Sequence, residues 1–576
     1  MEGVLKLLKE HGQLKLHSYL EKFALDNPNN VNINDLSSFL QKLNKLKNKN
    51  GERGNKKKGE YTLHAPPIVH MKNSIYDCEK PANGSIFTNL YENEKAINEL
   101  KCIGLRTIKR REVAVLFLAG GLGSRLGLNK AKGLLEITPL LHKTFFQFYF
   151  EQVKFLEEYC SVVDIVEGSD HLDMVSNRGK RGDSESFFMN THDTEKDPVC
   201  MNQNGIIGHP PTGKTDFSRY LKVEESEAKC ENENCKHVKG AQGAVIIYIY
   251  IMTSDYTHDK TKKYLEENNF FGLKKENIKL FKQCNNYTTD VHFNILFATP
   301  NRFLTNPGGN GAIFKALDKH CIVQDMLKKK IKYVQIVSID NILNKIADPV
   351  LTGFCSFYNC DVVNKAVRKK KDESMGIFCL KEKTKRGTSY QKNTFSVCEY
   401  TELNDYIFKN PELFIYGNIC HHMFSINFLQ HIVNNKIYNK MNIHNIFRNK
   451  TYYDFTTSDI RRNIQTKAHV YCYEYFIFDI FKYAKNILSY EVPRDIEFNP
   501  LKSNMNGDGI QKVQKSLSNL HISWLLKNNF NIIPNPQKEL NFCEISPCVS
   551  YDGTFFFNLP QHKNVHLPFA LTRCVP

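Results

Sequence analysis

The segment with the most chemical content runs Leu118-Ala-Gly-Gly-Leu-Gly-Ser-Arg-Leu-Gly127 and is followed by Ala131-Lys132-Gly133. Gly120, Gly121 and Gly123 carry no Cβ. The backbone there can approach a ligand closely and aim several N–H groups at phosphate oxygens. Ser124 adds a hydroxyl donor. Arg125 and Lys132 set positive charge beside the loop, as a triphosphate requires. A Gly-rich turn that merely closes a βα unit needs the glycines, but neither the Arg nor the Lys at set spacing. The combination therefore favours a phosphate site.

Three other patterns carry less. Gly208-His-Pro-Pro-Thr-Gly-Lys-Thr215 fits G-x-x-x-x-G-K-[ST]. A P-loop needs a strong strand before it, and here only Ile206-Ile207 precedes, while Pro210-Pro211 stiffens the loop. Cys230, Cys235 and His237 lack a second Cys/His pair at finger spacing. His421 and His422 are adjacent, so they face different ways on a strand or helix and do not suit one metal.

The elements that must position the loop follow from hydrophobic patterning. Val113 to Leu118 is a short apolar run ending at Gly120-Gly121, the pattern of a buried parallel strand feeding a Gly-rich turn. Leu141 to Tyr159 reads as a helix. Ala244 to Met252 reads as a strand, Thr257 to Asn268 as a helix, Ile278 to Phe281 as a strand and Gly311 to Lys330 as a helix. Tyr333 to Ile339 is another buried strand, ending at Asp340-Asn341. Strands alternating with helices imply βαβ units and a mostly parallel sheet. Residues 1 to about 45 read as helices broken near Gly12 and Asn27-Pro28, and Lys47 to Glu60 as a solvated linker. Residues 161–242 are polar and aperiodic and read as an insertion. Thr554 to Phe557 is strand-like.

The chain has 576 residues, of which 41% are hydrophobic, so a sizeable core is available and a disordered or fibrous chain is excluded. Lys+Arg 78 against Asp+Glu 61 gives +17, which suits anionic partners without choosing among them. The 17 scattered cysteines read as reduced thiols in the cytoplasm. The longest apolar run falls short of the ~20 residues a membrane span needs. The runs at Lys56 to Lys58, Lys109 to Arg111 and Arg368 to Lys371 lack interleaved aromatics in a recognisable nucleic-acid module.

Beyond the Gly-rich loop, further blocks stand in one order. They are Met252-Thr253-Ser254, Phe271 to Ile278 (FGLKKENI), Phe281-Lys-Gln283, Gly309-Asn310-Gly311, Asp340 to Leu343 (DNIL) and Ala347-Asp348-Pro349. Gly353-Phe354-Cys355, Glu399-Tyr400, Gly417-Asn418-Ile419, Phe478 to Phe481 (FDIF), Glu497 to Lys502 (EFNPLK) and Cys543 to Pro547 (CEISP) complete the series. Over most of residues 100 to 560 this series resembles the eukaryotic UDP-N-acetylglucosamine, or UDP-N-acetylhexosamine, pyrophosphorylases. Ser124, Ala131, Lys282, Gly308 and Ala312 depart from the family pattern, and none of these changes removes a charge expected at phosphate.

The resemblance implies an α/β fold: a Rossmann-like, glycosyltransferase-A-like nucleotidyltransferase with a mixed central sheet. It implies an N-terminal partly helical region (1–100), a catalytic domain (101–500) and a small C-terminal domain (501–576). It implies that UTP and N-acetylglucosamine 1-phosphate give UDP-N-acetylglucosamine and pyrophosphate, with Mg²⁺, or Mn²⁺ in its place, held at Asp340. Arg125, Lys132 and Lys502 would be catalytic. Leu118, Ala119, Gly120, Gly121 and Ser338 would line the nucleotide, and Gln283 and Gly309 would read uracil. Asn310, Glu399, Tyr400 and Asn418 would hold the sugar. The expected partners exclude nucleic acid and membrane, and the expected state is a monomer or weak homodimer. A UDP-glucose or general UDP-sugar pyrophosphorylase is the near alternative; a nucleic-acid-binding protein is the distant one.

Overall fold

All six residues of the Val113–Leu118 strand are buried, and they alternate between two cores. Ala114, Leu116 and Leu118 join one apolar cluster, and Val113, Val115 and Phe117 join another on the opposite face. Alternation with both faces apolar is what a strand inside a doubly covered parallel sheet requires. The computed structural model describes residues 1–22, 31–51, 61–78, 81–122, 130–162, 244–370, 373–383, 393–399, 407, 410–454, 459–462, 470–502, 509–554 and 564–572.

The strand lies within a 12-stranded mixed sheet. It pairs in parallel with Tyr333–Ser338 on one side and Tyr248–Thr253 on the other, and Ile278–Lys282 continues in parallel at the edge. Beyond Tyr333–Ser338 the direction reverses. Tyr416–Ser425 is antiparallel both to that strand and to Val362–Arg368. Ile487–Glu491, Ile86–Thr88 and Ile68–His70 complete the path in parallel pairings. Tyr61–His64, Ile377–Lys383 and Asn393–Cys398 form a branch joined where Ile377 meets Gly417. Residues 61–88, assigned to an N-terminal region on sequence grounds, thus supply strands to the central sheet.

Two helices cover the sheet with unusually close contact. Glu94–Lys109 lies against Pro349–Phe357, and a Cβ at Gly104 would stand 1.8 Å from the Pro349 carbonyl oxygen. A Cβ at Gly353 would stand 1.9 Å from the Leu100 carbonyl oxygen. Phe145–Val162 covers the same face further along the sheet, where Tyr149 stacks on Phe117 with ring centroids 5.5 Å apart. Where this helix ends, the chain returns beside it: the Val245 N–H donates to Ser161 Oγ at 3.4 Å and the Ile247 N–H to Glu157 Oε1 at 2.8 Å. The polar stretch 161–242 therefore begins and ends at one place; residues 163–243, with the P-loop-like and Cys/His patterns, lie outside the described residues.

At the N-terminus, Glu2–Glu10, Leu14–Lys22 and Ile33–Gly51 are helical, with the first break at Gly12. The third helix runs through Lys47–Gly51, which was expected to be linker. Helix propagation adds one hydrogen bond per residue fixed, so a helix anchored by buried Leu36, Leu40 and Leu43 extends into polar sequence. The three helices bury leucines against Phe293, Ile295, Phe297 and Tyr473. Gln13 locks the contact: its Nε2 donates to the Phe293 carbonyl at 2.9 Å and its Oε1 accepts from the Ile295 N–H at 3.0 Å.

The helix expected over Gly311–Lys330 is two, Ile313–Lys319 and Ile322–Lys328. Cys321 between them has φ 52°, a left-handed residue that ends one helix and re-aims the next. The C-terminal helix Gly509–Lys527 buries Val513 and Leu517 in the same apolar cluster as Phe117 and Tyr149. Strands Cys543–Ile545 and Phe569–Leu571 pair beyond it, and residues 555–557 lie outside the described residues. Among the described residues, no helix is long and apolar enough to cross a membrane.

Candidate active site

The Gly-rich loop leaves the C-terminal end of a parallel strand, where open α/β sheets bind ligands. Its base is closed by the Ala119 N–H donating to the Met252 carbonyl at 2.8 Å and the Lys132 N–H to the Gly121 carbonyl at 3.3 Å. Gly123, Ser124 and Arg125 lie outside the described residues. Gly120 is demanded by its neighbour: a Cβ there would lie 2.1 Å from Gln283 Nε2. Ser254, whose hydroxyl donates to the Gly120 carbonyl at 2.9 Å, fixes the turn from below. Gln283 is buried and its N–H donates to the Thr253 carbonyl at 2.8 Å, so its amide stands over the loop's first glycine.

The Gly309 block is joined to the same corner. The Gly308 N–H donates to the Cys284 carbonyl at 3.0 Å, and the Tyr475 N–H to the Gly308 carbonyl at 2.7 Å. Gly309 has φ 85°, and a Cβ there would stand 2.7 Å from the Tyr475 carbonyl oxygen; only glycine fits. Asn310 Oδ1 accepts from the Ile477 N–H at 3.0 Å, and its Nδ2 lies 3.6 Å from Cys420 Sγ.

Cys420 marks a bulge that sequence reading missed. In the pairing of Tyr416–Ser425 with Val362–Arg368, His422 faces Asn364 and Asn418 faces Ala366, so Ile419 to His421 stand opposite Lys365 alone. Cys420 takes φ 55°, and its N–H donates to Asn418 Oδ1 at 3.0 Å. Such bulges re-aim side chains beside sites. The Cys420 thiol is pushed up to about 12 by burial, with Asp340 and Glu399 acting in the same direction. Asn418 donates its N–H to the Gly376 carbonyl at 2.8 Å, and a Cβ at Gly376 would stand 2.9 Å from Glu399 Oε1. Asn310 and Asn418 thus contact Cys420, and the Glu399 and Asp340 charges act on it. Tyr400 lies outside the described residues.

Two groups from distant parts of the chain meet at Lys132. Its Nζ donates to Asp340 Oδ2 at 2.9 Å and to the Leu501 carbonyl at 3.0 Å. Ser338 Oγ donates to Asp340 Oδ1 at 2.7 Å. Burial alone would raise the Asp340 carboxyl, but the Lys132 cation, these hydrogen bonds and the Lys502 charge outweigh it and hold it below the ordinary carboxylate value. The Leu501 N–H donates to the Asp340 carbonyl at 2.8 Å, which fixes where Lys502 begins. Lys502 itself is exposed, its Nζ 5.8 Å from the Phe498 ring centroid.

Beneath this junction is a buried ionic cluster whose centre, Lys365, had no sequence signal. Lys365 pairs with both Asp348 and Glu497 and is fully buried, as are both carboxylates; Lys345 joins Glu497 at 3.4 Å. Asp348 and Glu497 fall in blocks the sequence singled out, without a role. The role is positional: Asn341 Nδ2 donates to the Glu497 carbonyl at 2.7 Å and Asn341 Oδ1 accepts from the Asn499 N–H at 2.9 Å, tying the Lys502 segment to the Asp340 turn. His421 and His422 turn to opposite faces, His421 to Gln335 at 2.7 Å and His422 to Asn364 at 2.7 Å.

Comparison with known proteins agrees with this geometry. Residues 83–165 and 231–564 match the family described as UTP--glucose-1-phosphate uridylyltransferase. The chain is 28% identical over 504 residues to a Dictyostelium discoideum protein named a probable UDP-N-acetylglucosamine pyrophosphorylase, covering 84% of this chain and 85% of that one. It is 27% identical over 494 residues to the Saccharomyces cerevisiae UDP-N-acetylglucosamine pyrophosphorylase, covering 84% and 82%. In fold it is similar to the crystal structure of the uridine diphosphate N-acetylglucosamine pyrophosphorylase from Trypanosoma brucei, with TM-score 0.64, 19% identity and coverage of 99% and 98%. The resemblance drawn from the ordered blocks is borne out, and the chain belongs to the UTP--glucose-1-phosphate uridylyltransferase family.

Proposed function

We propose that this protein transfers the uridylyl group of UTP to N-acetylglucosamine 1-phosphate, giving UDP-N-acetylglucosamine and pyrophosphate. The observation that carries the reading is the meeting of Lys132, Asp340 and the Leu501–Lys502 segment at the mouth of the Gly-rich loop. A phosphate oxygen of the sugar attacks the α-phosphorus in line. The bond from that phosphorus to the bridging oxygen breaks, and pyrophosphate leaves with the electron pair. No covalent enzyme intermediate is required; alignment and charge neutralisation do the work.

Gln283 and Gly309 hold the uracil, and Leu118 to Gly121 line the nucleotide. Lys132 and Arg125 hold the triphosphate from the loop side and Lys502 the sugar phosphate from the other. Asn310, Asn418, Glu399 and Tyr400 hold the sugar. Lys132 exchanges Asp340 for phosphate oxygens when UTP enters, which frees the carboxylate. Among the described residues, no group of three or more His, Cys, Asp or Glu side chains could enclose a metal ion. One carboxylate of lowered pKa beside bound phosphates suits Mg²⁺, which keeps its waters and binds through one or two carboxylates plus substrate phosphates. Asp340 would hold Mg²⁺ there, and the ion would supply charge neutralisation at the phosphates.

The test is pyrophosphate release from UTP and Mg²⁺ with a panel of sugar 1-phosphates. N-acetylglucosamine 1-phosphate is expected to give the highest kcat/KM; preference for glucose 1-phosphate overturns the reading in favour of a UDP-glucose enzyme. Lys502→Ala should raise KM for the sugar phosphate much more than for UTP. Equal effects on both substrates would place Lys502 elsewhere.

A further inference from the structure

A groove of about 830 Å³ lies between the Ile33–Gly51 helix, the Asn285–Tyr287 strand and the Ile313–Lys319 helix. That is the size of a small-molecule site. Its walls carry five cations, Lys42, Lys282, Arg302, Lys315 and Lys319, against two carboxylates, Asp35 and Asp255. Gln283 is among its lining residues, whereas Lys132 and Asp340 are not. Both carboxylates are already engaged. Asp35 pairs with Lys315 at 2.6 Å, and Asp255 pairs with Lys282 at 3.3 Å and accepts from Asn285 Nδ2 at 2.7 Å. Among the described residues, no carboxylate lies within ion-pair distance of Lys42, Arg302 or Lys319. Lys42 has only a neutral partner, donating to the Tyr475 hydroxyl at 3.1 Å with the ring centroid 4.5 Å from its Nζ.

We propose that this groove, which adjoins the uracil site at Gln283 but does not include the Lys132–Asp340 junction, is a second binding site for a small dianion of the phosphate-ester type. Lys315 and Lys319 lie one turn apart on one helix face and Lys42 reaches in from the opposite wall, so cations approach such a ligand from two sides. Burial lowers Lys42 to about 8, with Lys315 and Lys45 acting the same way and Asp479 opposing them. An anion seated between Lys42 and Lys315 removes that repulsion. The thiol of Cys284, next to Gln283, sits in the same field: burial raises it, while Lys315 and Lys319 lower it and Asp35 raises it.

The probe is sulfate, which stays dianionic from neutral to alkaline pH, titrated calorimetrically into the full chain at constant ionic strength. Saturable binding is expected in the wild type and in Lys132→Ala. Lys315→Met and Lys319→Met should each weaken it by about tenfold, the worth of one charge-assisted hydrogen bond. Lys319 is exposed, so its variant tests the site even if Lys315→Met melts early. Wild-type affinity should fall as the pH passes 8, while Lys42→Arg, which keeps its charge, should hold it. His320 on the groove wall is already held below its usual value by burial, so it does not charge in that window. Unchanged binding in both helix variants, loss of binding in Lys132→Ala instead, or no saturable binding below ~10 mM sulfate, about −2.7 kcal/mol, would overturn the site.

Discussion

Lys132 holds together three segments that lie far apart in sequence, so its removal should be read in more than one observable. As pyrophosphate leaves, charge grows on the oxygens Lys132 faces. Losing one such donor costs ~10²–10³ in kcat by analogy with oxyanion-site donors. Lys132→Ala should show that loss while folding, and Lys132→Arg should recover only part of it, since a planar fork is not a point charge. Arg125→Ala should lose a similar factor. The pH profile adds a sharper prediction. Asp340 sits below the ordinary carboxylate value because the Lys132 cation and its hydrogen bonds outweigh burial. Without that cation the carboxyl of the free enzyme moves up, so the acid limb of kcat/KM should shift to higher pH in Lys132→Ala. An unmoved acid limb would mean that Asp340 is not needed ionised.

Elements were legible where the residue types left little choice. The Val113–Leu118 strand and its Gly-rich exit could be read directly, because an apolar run followed by glycines has few alternatives. Gln283, Asn310, Asn418 and Lys502 could be named only through the ordered blocks, because what assembles them is tertiary: a bulge opposite Lys365 and a glycine that makes room for Gln283. The break at Cys321 was illegible, since neither Gly, Pro nor Asn announces it. Lys365 was illegible for another reason: a lysine in a strand reads as solvated until two buried carboxylates surround it. Gly353 shows the middle case, a residue noticed without a role. Its role is to let the Pro349–Phe357 and Glu94–Lys109 helices touch through backbone atoms, together with Gly104. Overpacking of this kind costs about 1–3 kcal/mol, so Gly104→Ala and Gly353→Ala should each lower the melting temperature by about one to three degrees. Gly121→Ala, with open space around its Cβ, should melt with the wild type; thermal denaturation of the three variants separates the cases.

For the whole molecule, buried histidines set the response to acid. Burial holds His422 and His521 at about 3, and it takes His421 well below its usual value, with Lys365, His422 and Lys345 adding to that. A histidine whose folded value is depressed stays neutral in the native state while its unfolded form binds a proton below ~6.5. Each therefore removes up to about 1.4 kcal/mol of stability per pH unit on going down from there towards its folded value. Glu157, raised to about 7 by burial, works the other way, because its folded form binds the proton first. The melting temperature should fall as the pH drops from 6.5 to 4.5. His422→Gln, which keeps a hydrogen-bonding amide beside Asn364, should fall less steeply; parallel curves would refute the assignment. A different consequence comes from Ser161 and Glu157, which receive the returning chain at Val245 and Ile247. The core is closed at that seam by contacts that the chain between its two sides does not supply. Replacing residues 165–240 with a short Gly/Ser bridge should keep turnover within about tenfold, since closure entropy varies slowly with length. The same seam is then a socket: a fluorescent domain with adjacent termini could be spliced there, turning the enzyme into its own reporter without touching a substrate contact.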